Sequence, residues 1–291
     1  MKYMFMRYPD GKFKAVTFSY DDGSIHDVRL ANTFDKYGLK ATFNYCYEIS
    51  KNASSEKISF EEIESTILGK GHEVALHGNT HAALGITPSF NAIRDIVNCR
   101  LGLEARFDII IRGFAYPDTM KLISGEKYTA IKSYLKELNL AYARAACRDF
   151  HDAPVKTDGF SLPEDFYYWI PTAHHDNENI FEYIDTFLAI DEAKIYRSLR
   201  LPRLFFIWGH SFEFENKGRW NHLEELCEKL SGKDDIWYAT CMEIYNYTKA
   251  YESLVLSADG TKIYNPTLYK IWFVADNVPY SVEPGETVSI K

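Results

Sequence analysis

From Ala15 to about residue 245, apolar runs of strand length alternate with segments of helical periodicity. No other feature of this 291-residue sequence constrains the fold as much. Consecutive strand–helix units need crossover connections, which parallel strands require and hairpins do not. The pattern predicts strands at Ala15–Ser19, Ala41–Tyr47, Glu73–Leu76, Asp108–Phe114, Ala141–Ala145, Leu204–Trp208 and Ile236–Ala239. Helices are predicted over Ile25–Tyr37, from Ser59 to Lys70, and from Pro88 to about Arg106. Further helices follow at Glu126–Leu138, Ile180–Ile190, Trp220–Leu230 and Met242–Tyr251. Gly38 and Gly71 stand where helices stop, and Ser59-Phe60-Glu61-Glu62 has capping-box spacing. The three successive isoleucines after Asp108 read as a strand buried on both faces. About seven units predict an α/β fold with a parallel sheet, open or closed into a barrel.

The pattern changes near Ser253. Short alternating runs around Ser257-Ala258-Asp259-Gly260-Thr261 and Pro284-Gly285 predict a small C-terminal β appendage. The expected division is residues 1–252 for the main domain and 253–291 for the appendage.

Composition narrows the function. The formal net charge is −8, so a surface that binds nucleic acid is not expected. No run approaches 18 apolar residues, so no membrane span is expected. Five cysteines, odd in number and without a C-x-x-C pair, predict buried thiols in a reducing compartment. Arg7 and Asp10 interrupt the stretch a signal peptide would need, which predicts a cytoplasmic protein. Aromatic rings form 15% of the chain, more than a core needs and of the kind a sugar cleft uses.

Ligands of parallel α/β proteins bind at the carboxyl ends of strands. Three predicted strands end in reactive side chains. The first ends Thr17-Phe18-Ser19-Tyr20-Asp21-Asp22-Gly23, the third ends His77-Gly78-Asn79-Thr80-His81, and the seventh ends Trp208-Gly209-His210. Each alone reads more readily as a turn or a packing residue. Together, two imidazoles and a carboxylate make a facial ligand set for a divalent ion. A second carboxylate and a further histidine then complete a general base and a general acid.

The first of these segments resembles the opening motif of the polysaccharide deacetylases, the NodB-homology family. Gly71-His72-Glu73-Val74-Ala75-Leu76-His77 through His81 is similar to the second motif, and Ile207–His210 to the fifth. The resemblance spans about Ala15 to Thr240. It implies a distorted (β/α)7-type barrel, with Asp22, His77 and His81 as metal ligands; two histidines and an aspartate favour Zn2+ as the ion and also suit other divalent ions. It further implies Asp21 as base, His210 as acid, and an acetylated carbohydrate as substrate.

Two motifs depart from the pattern. The third family motif places an arginine two residues before its proline–aromatic pair, but Arg112-Gly113-Phe114-Ala115-Tyr116-Pro117 has Ala115 there. Arg144 or Arg112 is left to pair with Asp21. Arg144 is favoured, because Leu140, Tyr142 and Arg144 share one face of a strand. The fourth motif, whose aspartate orients the acid histidine, is missing, and Asp149 and Asp152 are the nearby substitutes. A backbone N–H following Tyr116 is the expected oxyanion donor, with Tyr116 and Pro117 near the substrate. Trp169 reads as either a floor for a sugar ring or a core residue, and His174 and His175 as substrate contacts or a loop pair. The expected function is metal-dependent removal of N- or O-linked acetyl groups from a carbohydrate. The alternatives are hydrolysis of a non-sugar amide on the same fold, or a sugar-binding protein with a decayed site. A two-carboxylate glycosidase is disfavoured, since adjacent Asp21 and Asp22 cannot flank one bond from opposite faces.

Overall fold

The computed structural model describes residues 3–52, 54–118, 126–145 and 159–290. Cys147, Asp149, His151 and Asp152 lie outside them. The chain begins with β1 (Met4–Arg7), β2 (Lys14–Asp21), α1 (Asp27–Lys36), β3 (Ala41–Tyr45) and α2 (Tyr47–Lys51). Next come α3 (Phe60–Glu62), which continues as a π-helical turn over Ile63–Leu68, then β4 (Glu73–Leu76), α4 (Ser89–Phe107) and β5 (Gly113–Ala115). The middle of the chain carries α5 (Glu126–Glu137), β6 (Tyr142–Arg144), β7 (Ala173–His174), α6 (Ile180–Leu188) and β8 (Arg203–Gly209). After α7 (Ser211–Asn216), α8 (Trp220–Leu230), β9 (Ile236–Tyr238) and α9 (Cys241–Glu252), five short strands follow. These are β10 (Val255–Leu256), β11 (Lys262–Tyr264), β12 (Ile271–Ala275), β13 (Val278–Val282) and β14 (Thr287–Ser289).

The main sheet is parallel, in the order β6-β5-β4-β3-β2-β8-β7, with β9 beside the first half of β2. Its far edges approach each other through the segment 169–174. Trp169 bridges to Arg144 of β6, while β7 pairs with β8. The sheet is thus curled into the barrel-like α/β form that the alternation predicts.

Strand alternation sorts the side chains. Val16, Phe18 and Tyr20 of β2 face the helices, where Phe18 packs on Phe34 of α1 with centroids 4.6 Å apart. Thr17, Ser19 and Asp21 face the interior, as do Thr42 and Asn44 of β3. The floor is closed by the start of α9: Cys241 N–H donates to Thr42 Oγ1 (3.0 Å) and Met242 N–H to Glu73 Oε2 (2.9 Å). Thr42 and Tyr142 hydroxyls also donate to Glu73, both at 2.7 Å. An acid at a helix N-terminus is well matched, yet burial still lifts the Glu73 carboxyl to about 7. With the floor sealed, chemistry is confined to the opposite end.

Three expectations change. The run Asp108–Phe114 is not a buried strand: Asp108 caps α4 in a left-handed conformation, Ile110 is 80% exposed, and only Gly113–Ala115 pairs. The appendage is not purely C-terminal, because β1 pairs with β12 in the sheet β1-β12-β13, beside a second sheet β10-β11-β14. Short α7 was not foreseen. The four described cysteines are buried and unpaired. Among the described residues, no helix is long and apolar enough to cross a membrane.

Candidate active site

The carboxyl ends of β2, β4 and β8 bring Asp21, Asp22, His77, His81 and His210 together. Asp22 Oδ1 lies 3.4 Å from His77 Nε2 and 3.5 Å from His81 Nε2, and Asp22 Oδ2 lies 3.8 Å from His210 Nε2. The donor atoms of Asp22, His77 and His81 all fall within 4.8 Å of one another, which suits one ion. His77 Nδ1 faces the Ala115 carbonyl at 3.0 Å, so Nε2 is the nitrogen offered to the cleft. That outer hydrogen bond is the usual means of fixing a ligand's ring and tautomer.

Local backbone makes the convergence possible. Asp22 (φ 77°) and His81 (φ 58°) are both left-handed, a conformation few side-chain-bearing residues adopt. The turn between the histidines is tied down by Asp95 of α4, which accepts from Asn79 N (2.8 Å), Thr80 N (3.1 Å) and Thr80 Oγ1 (2.7 Å). Burial opposes ionisation of Asp22, but the rings of His77, His210 and His81 outweigh it and hold its carboxyl well below the usual range. The same crowding, chiefly burial and then His77, lowers the His81 pKa.

Asp21 is buried beside this set. Its Oδ2 accepts from Arg144 Nη2 and its Oδ1 from Asn44 Nδ2 (2.8 Å). Arg144 is 1% exposed and lies over the Trp208 ring, 4.9 Å from its centroid. A planar guanidinium in contact with both carboxylate and indole has little freedom to turn. Arg112 is elsewhere. Its guanidinium donates to Asn139 O (3.0 Å) and Asn139 Oδ1 (3.2 Å) at the opposite end of β5, so it does not reach Asp21.

Glu213, in the first turn of α7, stands where the missing orienting acid is needed. Its Oε2 accepts from His210 N (3.2 Å) and lies 3.4 Å from His210 Nδ1. Burial lowers the His210 pKa, but Glu213, Asp21 and Asp22 outweigh it and the net direction is up. Sequence reading passed over Glu213. Its signal was the capping-box spacing from His210 to a glutamate three residues on.

Other expected contacts lie away from the cleft. Trp169 is 1% exposed and packs edge-on against Tyr142 and Phe166, so it fills the closing seam of the barrel. The Tyr116 ring is buried, with its hydroxyl donating to Tyr167 O (2.8 Å). Of the backbone N–H groups at this point, that of Tyr116 is spent on Arg144 O and Pro117 has none. Pro117 itself lies beside Gly78 of the histidine turn. His174 and His175 are sealed from solvent and face Glu213. Phe212, 5.1 Å from the His210 ring, is a partly exposed aromatic beside that histidine.

Comparison with known proteins agrees with this layout. A polysaccharide deacetylase family model matches residues 8–142, which include Asp21, Asp22, His77 and His81. No curated protein matches the sequence. Among solved structures, a Mycobacterium smegmatis protein assigned to the polysaccharide deacetylases is 19% identical, with a TM-score of 0.56 over 84% of this chain and 93% of that one. One from Pseudomonas aeruginosa PAO1 with the same assignment is 12% identical, with a TM-score of 0.54 over 82% and 92%. The Xyl-CE4 domain of a multidomain xylanase from the hindgut metagenome of Trinervitermes trinervoides is 14% identical, with a TM-score of 0.50 over 82% and 92%. Residues 8–142 thus match the polysaccharide deacetylase family, and the chain resembles that family in the order of its motifs and in its fold.

Proposed function

We propose that the protein is a hydrolase that removes acetyl groups, N- or O-linked, from a carbohydrate. Asp22, His77 and His81 would hold a divalent ion, zinc by their donor chemistry. Bound there, such an ion supplies Lewis acidity toward an acetyl carbonyl and water. The observation that carries the proposal is the flanking of this ligand set by Asp21 and His210, one on β2 and one at the end of the adjacent β8. Asp21 is held by Arg144 and Asn44, each on a separate oxygen, and takes a proton from the attacking water through a remaining lone pair. His210 presents Nε2 to the cleft while Nδ1 faces Glu213. It donates the Nε2 proton to the departing amine nitrogen or alkoxide oxygen. Asp22, His81 and His210 are each between a fifth and a third exposed, so a sugar can approach from that side.

The test is acetate release from a panel of acetylated oligosaccharides, with and without a chelator. Asp21→Asn should keep the ion held by Asp22, His77 and His81 and lose a factor of about 10² or more in rate, whereas Asp22→Asn should lose that ion. Metal-loaded protein that releases acetate from no sugar, or equal metal loss in both variants, overturns the proposal.

A further inference from the structure

Behind His210 lies a second group of donors, which shares with the proposed deacetylation only Glu213. β7 ends in His174, whose strand pairs with β8 at Trp208, and His175 N–H continues the pairing to Trp208 O at 2.9 Å. The chain then turns sharply, with Asn177 N–H donating to His174 O (3.0 Å). This turn sets His174, His175 and Asp176 side by side, opposite Glu213 from the first turn of α7. Their ligating atoms all lie within 4.8 Å of one another.

The spacings bracket those of donors around an ion. Glu213 Oε2 is 3.1 Å from His174 Nε2 and 3.3 Å from His175 Nε2, while His175 Nε2 is 3.7 Å from Asp176 Oδ2. Tetrahedral zinc with bonds of about 2.0–2.2 Å sets neighbouring donors roughly 3.3–3.6 Å apart. The Asp22–His77–His81 set shows the same spacing, at 3.4 and 3.5 Å.

His175 supplies the independent observation. It is fully buried, and neither ring nitrogen makes a hydrogen bond. An unsatisfied buried ring nitrogen is costly, and native structures rarely leave one without a reason. Its ring is clamped between Tyr20 (centroids 5.6 Å) and Phe214 (4.1 Å), so it cannot turn to find a partner. Nδ1 abuts the bare Cα of Gly209, where a Cβ would lie 2.0 Å away, which leaves Nε2 as the nitrogen aimed at Glu213. Lys217 and Arg219 both bind Asp176 from the solvent side and fix its carboxylate in place.

We propose that His174, His175, Asp176 and Glu213 form a second divalent-cation site, separate from Asp22, His77 and His81. Two imidazoles and two carboxylates, that of Asp176 shared with Lys217 and Arg219, are a donor set for a borderline ion of the zinc class. Bound there, the ion locks Glu213, and through it the His210 ring, against the end of β8. Its role as a positioning device rests on the deacetylase reading, while the binding of an ion there is tested apart from it.

The test is metal content by mass spectrometry after reconstitution of the full chain with Zn2+ and removal of excess. Wild type should hold two ions per chain, and Asp22→Asn and Glu213→Gln one each. The double variant should hold none. Cobalt-substituted Asp22→Asn should retain tetrahedral d–d absorption that His175→Gln in the same background loses. An Asp22→Asn protein without metal, or a Glu213→Gln protein with unchanged stoichiometry, overturns the second site. Wild type with one ion that only Glu213→Gln loses supports it and removes the first site instead.

Discussion

Gly209→Ala isolates one contact on which the rear of the site depends. Gly209 lies within β8, in a strand conformation that any residue adopts, so the substitution adds no backbone strain. What it adds is a methyl group 2.0 Å from His175 Nδ1 and 2.4 Å from Cε1. Ordinary contact needs about 3.5 Å, so the ring would have to retreat by roughly 1.5 Å. Tyr20 and Phe214 cover its two faces and are themselves buried, which blocks that retreat. Overpacking a rigid core costs about 1–3 kcal/mol, and this case belongs at the top of that range. At about 3 kcal/mol the folded-to-unfolded ratio falls by a factor of roughly 150. With a urea slope of about 3 kcal/mol/M, the unfolding midpoint moves down by about 1 M. His175→Ala, costly by itself, should rescue Gly209→Ala, with a favourable coupling of about 2 kcal/mol in the double-mutant cycle. A midpoint within 0.3 M of wild type (about 1 kcal/mol at that slope), or strictly additive variants, would refute the packing argument.

Arg144→Leu leaves the Asp21 carboxylate buried without its cation and should cost about 3–5 kcal/mol in urea unfolding; a loss below about 1 kcal/mol would show that the pair contributes little. Trp169→Ala should destabilise by about 3–5 kcal/mol while leaving KM unchanged in the folded fraction, and the reverse pattern would return Trp169 to substrate binding. His72 is buried, accepts from Ala41 N–H, and has its pKa pushed down to about 4, first by burial and then by Lys40. Its folded pKa is below its unfolded value, so the unfolded chain takes up the proton first and stability falls as pH drops from about 6.5 toward 4. Between pH 7 and pH 5 wild type should therefore lose about 2 kcal/mol more than His72→Gln, measured by urea midpoints, and equal losses would refute the assignment.

Residues that act within a short stretch of chain were the legible ones. Asp21–Asp22 and His77–His81 are local patterns at strand ends, and strand alternation favoured Arg144 over Arg112. Features set by distant partners were not legible. β1 carries no local signal, because its partner β12 lies more than 260 residues away. Ile109–Ile111 has the composition of a buried strand, yet the left-handed Asp108 and the Glu104 carboxylate bonded to Ile111 N–H (2.8 Å) shape it as a cap and loop. Trp169 shows the converse. Composition cannot distinguish a ring that receives a sugar from one that closes a barrel seam. Glu213 was readable, but only by treating His210 as the start of a helix rather than the end of a strand.

Asp22 and His81 both hold their side chains on a left-handed backbone. Away from glycine that conformation costs of order 1–2 kcal/mol per residue, less for aspartate than for histidine. Natural proteins sit only a few kcal/mol above unfolding, so two such residues are a measurable fraction of the margin. Glycine at either place would relax the loop, so substitutions that erase the proposed ligand set run downhill in free energy. At these two positions the ease of the fold and the proposed metal donors therefore pull in opposite directions.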